Sequence, residues 1–226
     1  TRGFEVSSEM ILRVFHELDS TLEEGDVDGR PIPLWDQALA LWVMAMRGAV
    51  PTARAVERLW NVRDRLDVES LCFLAVAIHS RDPEHPRVAE LLRVVENAIV
   101  ETAEGARIAN RSFLDRGRPI WLSDRRTDAI VLDALLRLRP DHPSIGPMVR
   151  ALDGGRSNGR WATTQENAWA LMALTRYFAG ETAEPTVLDV SLWMGDRAMG
   201  RVSLRGPSEE GFNGALPMSS IAALTD

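Results

Sequence analysis

The chain has 226 residues, 45% of them hydrophobic, and a net charge of −7, which suits one sizeable core or a core with a small second module. The acidic balance leaves a phosphate-binding role without an electrostatic footprint, and the lone Cys72 excludes an internal disulfide. No apolar run approaches the roughly 18–20 residues of a membrane span, and Thr1–Met10 lacks the basic and apolar pattern of a signal peptide.

The first expected helix is Ser7–Leu18, followed by the acidic, glycine-containing stretch Asp19–Gly29. Leu34–Gly48 follows Pro31 and Pro33 and carries Leu34, Ala38, Leu41, Trp42 and Ala45 on one side. Thr52–Leu66 is charged on one face and offers Ala55, Val56, Leu59 and Trp60 for burial. Val68–Ser80 is almost wholly apolar from Leu71 to Ile78, and Arg87–Thr102 is amphipathic through Leu91, Leu92, Val95, Ile99 and Val100. Ala103–Pro119 reads as irregular or partly extended. Thr127–Leu138, Ser144–Leu152 and Thr163–Ala179 complete the expected helices. In the last, Thr163 and Glu166 have the spacing of a capping box, and Ala168, Leu171, Met172, Leu174, Thr175 and Phe178 recur at helical spacing.

A weak repeat underlies this order. One apolar helix ends at Arg81-Asp82-Pro83-Glu84-His85-Pro86 and another at Arg139-Pro140-Asp141-His142-Pro143, each followed by a further helix. Small residues cluster on the more apolar members: Ala38, Ala40 and Ala45; Ala75 and Ala77; Ala168, Ala170 and Ala173. Small side chains let helices pack closely around a common axis, so an α/α solenoid or toroid fits better than a four-helix bundle. Pro185 ends the helical part. Val187–Met194 then alternates apolar and polar residues, Gly195–Arg197 supplies a turn, and Gly200–Leu204 reads as a partner strand before the loop Gly206–Gly214. The expected fold is therefore mainly α. Residues 1–182 form an incomplete toroid of helical hairpins, and residues 183–226 begin a β-sandwich.

Three stretches carry a resemblance. The run from Arg126 through Asp133 to Leu138 precedes Met148-Val149-Arg150-Ala151-Leu152. The turn Gly159-Arg160-Trp161 leads into Thr164-Gln165-Glu166-Asn167-Ala168, and Val187-Leu188-Asp189-Val190-Ser191-Leu192 follows. Over Trp121–Leu192 this order resembles the last part of the thioester domain of the alpha-2-macroglobulin and complement family, particularly its bacterial branch. The resemblance implies an α/α toroid that runs into a β-rich macroglobulin or CUB-like domain, with the chain as a segment of a longer protein. That parent would trap proteases after cleavage of a bait segment, on the periplasmic side of a bacterial envelope. The segment would be a scaffold and not an enzyme. Its partners would be proteases, through the parent, and other macroglobulin domains of the same chain, with no nucleic acid and no direct membrane insertion.

Thioester members carry Cys-x-x-Gln, whose thiol is joined to the glutamine carbonyl. Here the sequence is Cys72-Phe73-Leu74-Ala75, so no thioester is encoded and Cys72 reads as a small buried hydrophobe. The chain has 26 arginines and no lysine, so it offers no side-chain amine to a reactive acyl group. His85 and His142 read as turn or capping residues, His79 ends an apolar helix, and no motif around His16 transfers the histidine role known in thioester members. No cluster has metal-ligand spacing, and no catalytic, cofactor-binding or metal residue is assigned. Two alternatives stay open. One is an α/α-toroid enzyme of the terpenoid cyclase or prenyltransferase type, faintly echoed by Gly159, Trp161, Gln165 and Trp169. Its nearest acidic motif would be Asp26-Val27-Asp28-Gly29, since Asp124 and Asp128 read as a helix entrance. The other is a helical-repeat scaffold that binds a protein partner.

Overall fold

Most helix starts among the described residues are fixed by side chains that accept the free N–H groups of the first turn, α2 and α7 being the ones without such a bond. In the computed structural model, which describes residues 7–27, 29–49, 51–109, 123–181, 187–194 and 197–205, Ser7 accepts from the Met10 N–H and opens α1 (Ser8–Glu24). Thr52, Asp67 and Ser123 do the same for α3 (Ala53–Asn61), α4 (Val68–Arg81) and α6 (Asp124–Leu138). The remaining helices are α2 (Leu34–Met46), α5 (Pro86–Glu96), α7 (Ile145–Asp153) and α8 (Thr164–Glu181). Three antiparallel hairpins accompany them: β1 (Asp26–Val27) with β2 (Arg30–Pro31), β3 (Ile99–Thr102) with β4 (Gly105–Ile108), and β5 (Val187–Met194) with β6 (Arg197–Arg205). The described protein is mainly helical, with small antiparallel sheets. No helix among the described residues is long and apolar enough to cross a membrane.

Four expected boundaries move, each for a physical reason. Helix α1 passes Leu18 and reaches Glu24, because Leu22 continues the stripe of Phe15 and Leu18 into the core. Gly25 then ends it at φ +76, with the Arg58 guanidinium packed against it and bonded to the Glu23 and Glu24 carbonyls. Thr52–Leu66 is not one helix: α3 stops at Asn61 and a 3-10 turn, Arg63–Arg65, completes the segment. Helix α5 stops at Glu96, and the β-branched Ile99 and Val100 pair with Ile108 and Arg107 in a hairpin. At the end of the acidic stretch Asp26 and Val27 pair with Pro31 and Arg30, and the Gly29 N–H donates to Asp26 Oδ1 at 3.1 Å; Asp28 lies outside the described residues, as do residues 110–122, which cover the end of the stretch expected to be irregular.

Contacts divide the chain into Thr1–Tyr177 and Phe178–Asp226. In the first unit α4 is buried continuously from Val68 to Ile78 and α6 from Asp128 to Leu135, as expected of helices surrounded by others. Helix α2 packs on α4 and α4 on α6. The intervening helices bury one face only: Ala55, Val56, Leu59 and Trp60 in α3; Val88, Leu91, Leu92 and Val95 in α5; Ile145, Met148, Ala151 and Leu152 in α7. Close approach of the buried helices rests on alanines with no exposed surface, among them Ala38, Ala75, Ala77, Ala129, Ala170 and Ala173.

The two His-Pro turns are structural copies. His85 Nδ1 accepts the Arg87 N–H and His142 Nδ1 accepts the Ser144 N–H, both at 3.2 Å. Each His N–H donates three residues back, to Asp82 and Arg139, and each His carbonyl accepts three residues on, from Val88 and Ile145. The histidines therefore serve the turns.

Helix α8 begins after a two-residue turn, Asn158-Gly159, with both residues at positive φ (52° and 76°), the geometry of a type I′ turn. Ser157 and Arg160 exchange backbone hydrogen bonds across it. Trp161 then turns inward and donates its Nε1–H to the Leu152 carbonyl at 2.9 Å, closing the end of α7. The capping box forms as the spacing predicts: Thr163 Oγ1 accepts the Glu166 N–H at 3.1 Å and Glu166 Oε2 accepts the Thr163 N–H at 3.0 Å. The expected apolar face of α8 does not hold. Glu166, Trp169, Ala170, Ala173 and Leu174 are buried, whereas Ala168, Leu171, Met172, Thr175 and Phe178 are exposed. The helix is apolar on two sides, and the side with one tryptophan between small residues fits against the other helices.

In the second unit β5 and β6 pair from Val187↔Arg205 to Met194↔Arg197, with a shift between Leu192 and Trp193. Ser191 and Ser203 lie on the polar side of the alternation and are exposed. The turn residues Gly195 and Asp196, Pro185 and the loop Gly206–Gly214 lie outside the described residues.

Thr163→Ala removes one half of the capping box. Thermal unfolding should show a loss of about 0.5–2 kcal/mol, and an unchanged midpoint would refute the assignment.

Candidate functional site

The first turns of three helices meet at one buried carboxylate. Trp35 is the second residue of α2, Glu69 the second of α4, and Arg126 and Thr127 the third and fourth of α6. Glu69 Oε2 accepts Trp35 Nε1–H and Arg126 Nη2–H, each at 2.7 Å. Its Oε1 accepts the Thr127 hydroxyl at 2.7 Å and Arg126 Nε–H at 3.3 Å. Glu69 and Arg126 are each 3% exposed. Removing such a pair from water costs several kcal/mol per ion, and only good geometry with every oxygen bonded offsets it. The Arg126 guanidinium also lies 5.3 Å from the Trp35 ring.

Further along the same helices lies an aromatic cluster. Trp169 of α8 is 5.0 Å from Trp42 of α2 and 5.6 Å from Phe73 of α4, and Phe73 is 5.9 Å from Trp35. Tilted and edge arrangements at these separations are the favourable ones for rings. Beside it Asp133, buried on α6, accepts Arg137 Nε–H at 2.7 Å and Arg176 Nε–H of α8 at 3.0 Å. Arg137 also sits 6.0 Å from the Trp42 ring. Early residues of α2, α4 and α6 thus meet each other, and middle or late residues meet middle or late ones. The three run in one direction, and Trp169 and Arg176 set α8 alongside in the same sense.

Both oxygens of Glu69 and of Asp133 are taken by fixed donors, so neither carboxylate is placed as a general base. Cys72, one turn beyond Glu69, is 1% exposed. Burial, then the charges of Glu69, Asp67 and Asp133, pushes its thiol far above the ordinary range, which removes the nucleophilic thiolate. Of the other residues weighed from sequence, His16 is exposed on α1, His79 is half-buried in the last turn of α4, and Gln165 is exposed. Trp161 and Trp169 are packing groups, and Gly159 is a turn residue. Among the described residues no group of three or more His, Cys, Asp or Glu side chains is placed to hold a metal ion.

Sequence alone does not single out Glu69, Trp35 or Asp133, and Asp128, expected as a helix-entrance residue, is buried. A signal is nevertheless present. Glu69 stands two residues before an apolar run that lasts from Leu71 to Ile78, and Arg126 and Asp133 stand seven apart on α6, which puts both on one face. No protein-family profile matches the chain, and no curated protein matches its sequence.

Glu69→Leu removes the carboxylate that accepts two hydrogen bonds from the buried Arg126 guanidinium. Denaturant unfolding should show a loss of about 3–5 kcal/mol. The double variant Glu69→Leu/Arg126→Met should recover much of it, since neither charge then needs water. A double variant as unstable as the single would show that the pair contributes more than mutual compensation.

Proposed function

We propose that this chain is a scaffold segment of a bacterial alpha-2-macroglobulin-like protein, belonging to an α/α toroid of the thioester-domain type and leading into a β-rich domain. The observation that carries the reading is the alternation of the helices. Helices α2, α4, α6 and α8 share one direction and one buried centre, and α3, α5 and α7 each bury a single face between them. The repeated His-Pro turn supports it, because a helical-hairpin array needs the same turn each time the chain passes from one layer to the next. The capping-box turn into α8 adds a local match to the stretches that carry the resemblance.

In this reading the parent protein traps a protease once its bait segment is cut, and the segment contributes shape and stiffness rather than chemistry. A buried centre of bonded charges and packed rings suits that task. The absence of lysine from the sequence means that an activated acyl group held by the parent could not be consumed by a lysine amine of this segment. The parent would work in the bacterial periplasm or cell envelope, with proteases and the other macroglobulin domains of the same chain as its partners.

Two measurements on the full-length parent test the reading. After incubation with a protease, the expected outcome is a protease that still cleaves small peptides and no longer cleaves large proteins. Thiol titration after denaturation, with and without methylamine, reports whether the parent holds a thioester above the constant signal of Cys72. Loss of all proteolytic activity, or none, would refute the trap; binding of an isoprenoid diphosphate by the chain would favour a toroid enzyme instead.

A further inference from the structure

The β3–β4 hairpin is seated against α6 and α7 with little tolerance. A Cβ on Gly105 would lie 2.3 Å from the Pro147 carbonyl oxygen, and Ala106 has no exposed surface. At the other end of β4 the Ile108 N–H donates to Asp128 Oδ1 of α6 at 2.9 Å. Asp128 is 3% exposed, and its Oδ2 is buried without a hydrogen-bond partner among the described residues. The nearby Arg125 Nη1 stays 3.9 Å from that oxygen, because the same nitrogen donates to the Ala151 carbonyl of α7 at 3.0 Å and the guanidinium packs against Gly155. Among the described residues the charged groups facing Asp128 are Arg125 and Asp124 from its own helix and Arg107 from β4. Arg107 is paired with Glu104 in the hairpin turn, and α7 contributes the Ala151 carbonyl through Arg125.

We propose that Asp128 is a proton-operated latch: a proton on its bare Oδ2 seats the β3–β4 hairpin on α6, and ionisation loosens it. A proton there removes the buried charge while Oδ1 goes on accepting the Ile108 N–H. Burial is the dominant influence and raises the carboxyl to about 6, against the opposing pull of the Ile108 hydrogen bond and Arg125. In the open hairpin Asp128 meets water and ionises near the ordinary value of about 4. The closed form holds the proton more tightly, so closure is strongest below about pH 4, weakens as pH rises through about 4–6, and is weakest above that window. The separation of the two values corresponds to a roughly 100-fold change in the opening equilibrium.

Amide hydrogen exchange at Ile108, corrected for the intrinsic rate of an open peptide, reads that equilibrium from about pH 4 to about pH 7.5. Opening should increase by roughly 100-fold across the window in the native chain. It should stay flat in Asp128→Asn, which keeps an acceptor oxygen and carries no charge. Arg125→Gln removes a cation that favours ionisation and should move the inflection to higher pH. A flat native profile, an equal slope in Asp128→Asn, or an inflection unmoved by Arg125→Gln would each overturn the latch. If Asp128→Asn does not fold, the carbon-13 titration of the native Asp128 carboxyl decides, and a midpoint at the ordinary carboxylate value would overturn the proposal.

Discussion

A single carboxylate determines how the helices of the first unit can stand beside one another. Glu69 has four donors around it from α2 and α6, and sliding one helix by a turn would take its donor out of reach. Apolar contacts alone would tolerate such a slide, because one leucine packs against another nearly as well as against the next. A buried charge does not, since an unbonded oxygen is costly in a low-dielectric surrounding. The polar contact therefore supplies the longitudinal register that the apolar surface leaves open. Asp133 repeats the device further along, fixing α8 against α6 through Arg176.

With register set, side-chain size does the rest. The rings of Trp42, Phe73 and Trp169 meet near the centre, and that is possible because the neighbouring positions on α2, α4 and α8 include alanines with no exposed surface. Large groups on a few positions and small ones between them allow short interhelical distances without voids. The helices that bury a single face carry no such demand. Trp60 of α3 instead lies near the surface, beneath two guanidinium groups, Arg63 and Arg87, each bonded to a glutamate across the α3–α5 seam.

Much of this is legible in the sequence where the signal is local. The capping box of α8, the β5 strand and the turn role of His85 and His142 depend on residues a few positions apart, and these form as the spacing implies. The end of α1 and the end of α5 do not. A glycine-containing acidic stretch looks like a loop until Leu22 finds a core, and Ile99 looks like a helix residue until β4 offers it a strand. The buried face of α8 escapes prediction for a related reason: a helix apolar on two sides cannot announce which side its neighbours will take. The centre at Glu69 is the hardest to see, because its four residues, Trp35, Glu69, Arg126 and Thr127, are spread over three helices and share no local spacing.

The common direction of α2, α4, α6 and α8 has an electrical consequence. Each helix carries a macrodipole with partial positive charge at its start, and four parallel starts side by side gather like charge at one end of the unit. Each of these helices has an acidic residue in its first turn: Asp36, Glu69, Asp124 and Glu166. The one-faced helices α3, α5 and α7 have none there. Helix α1 also has an acid there, Glu9, but from α2 to α8 the first-turn acids mark the four helices of common direction, and each carboxylate offsets positive charge that their parallel arrangement gathers.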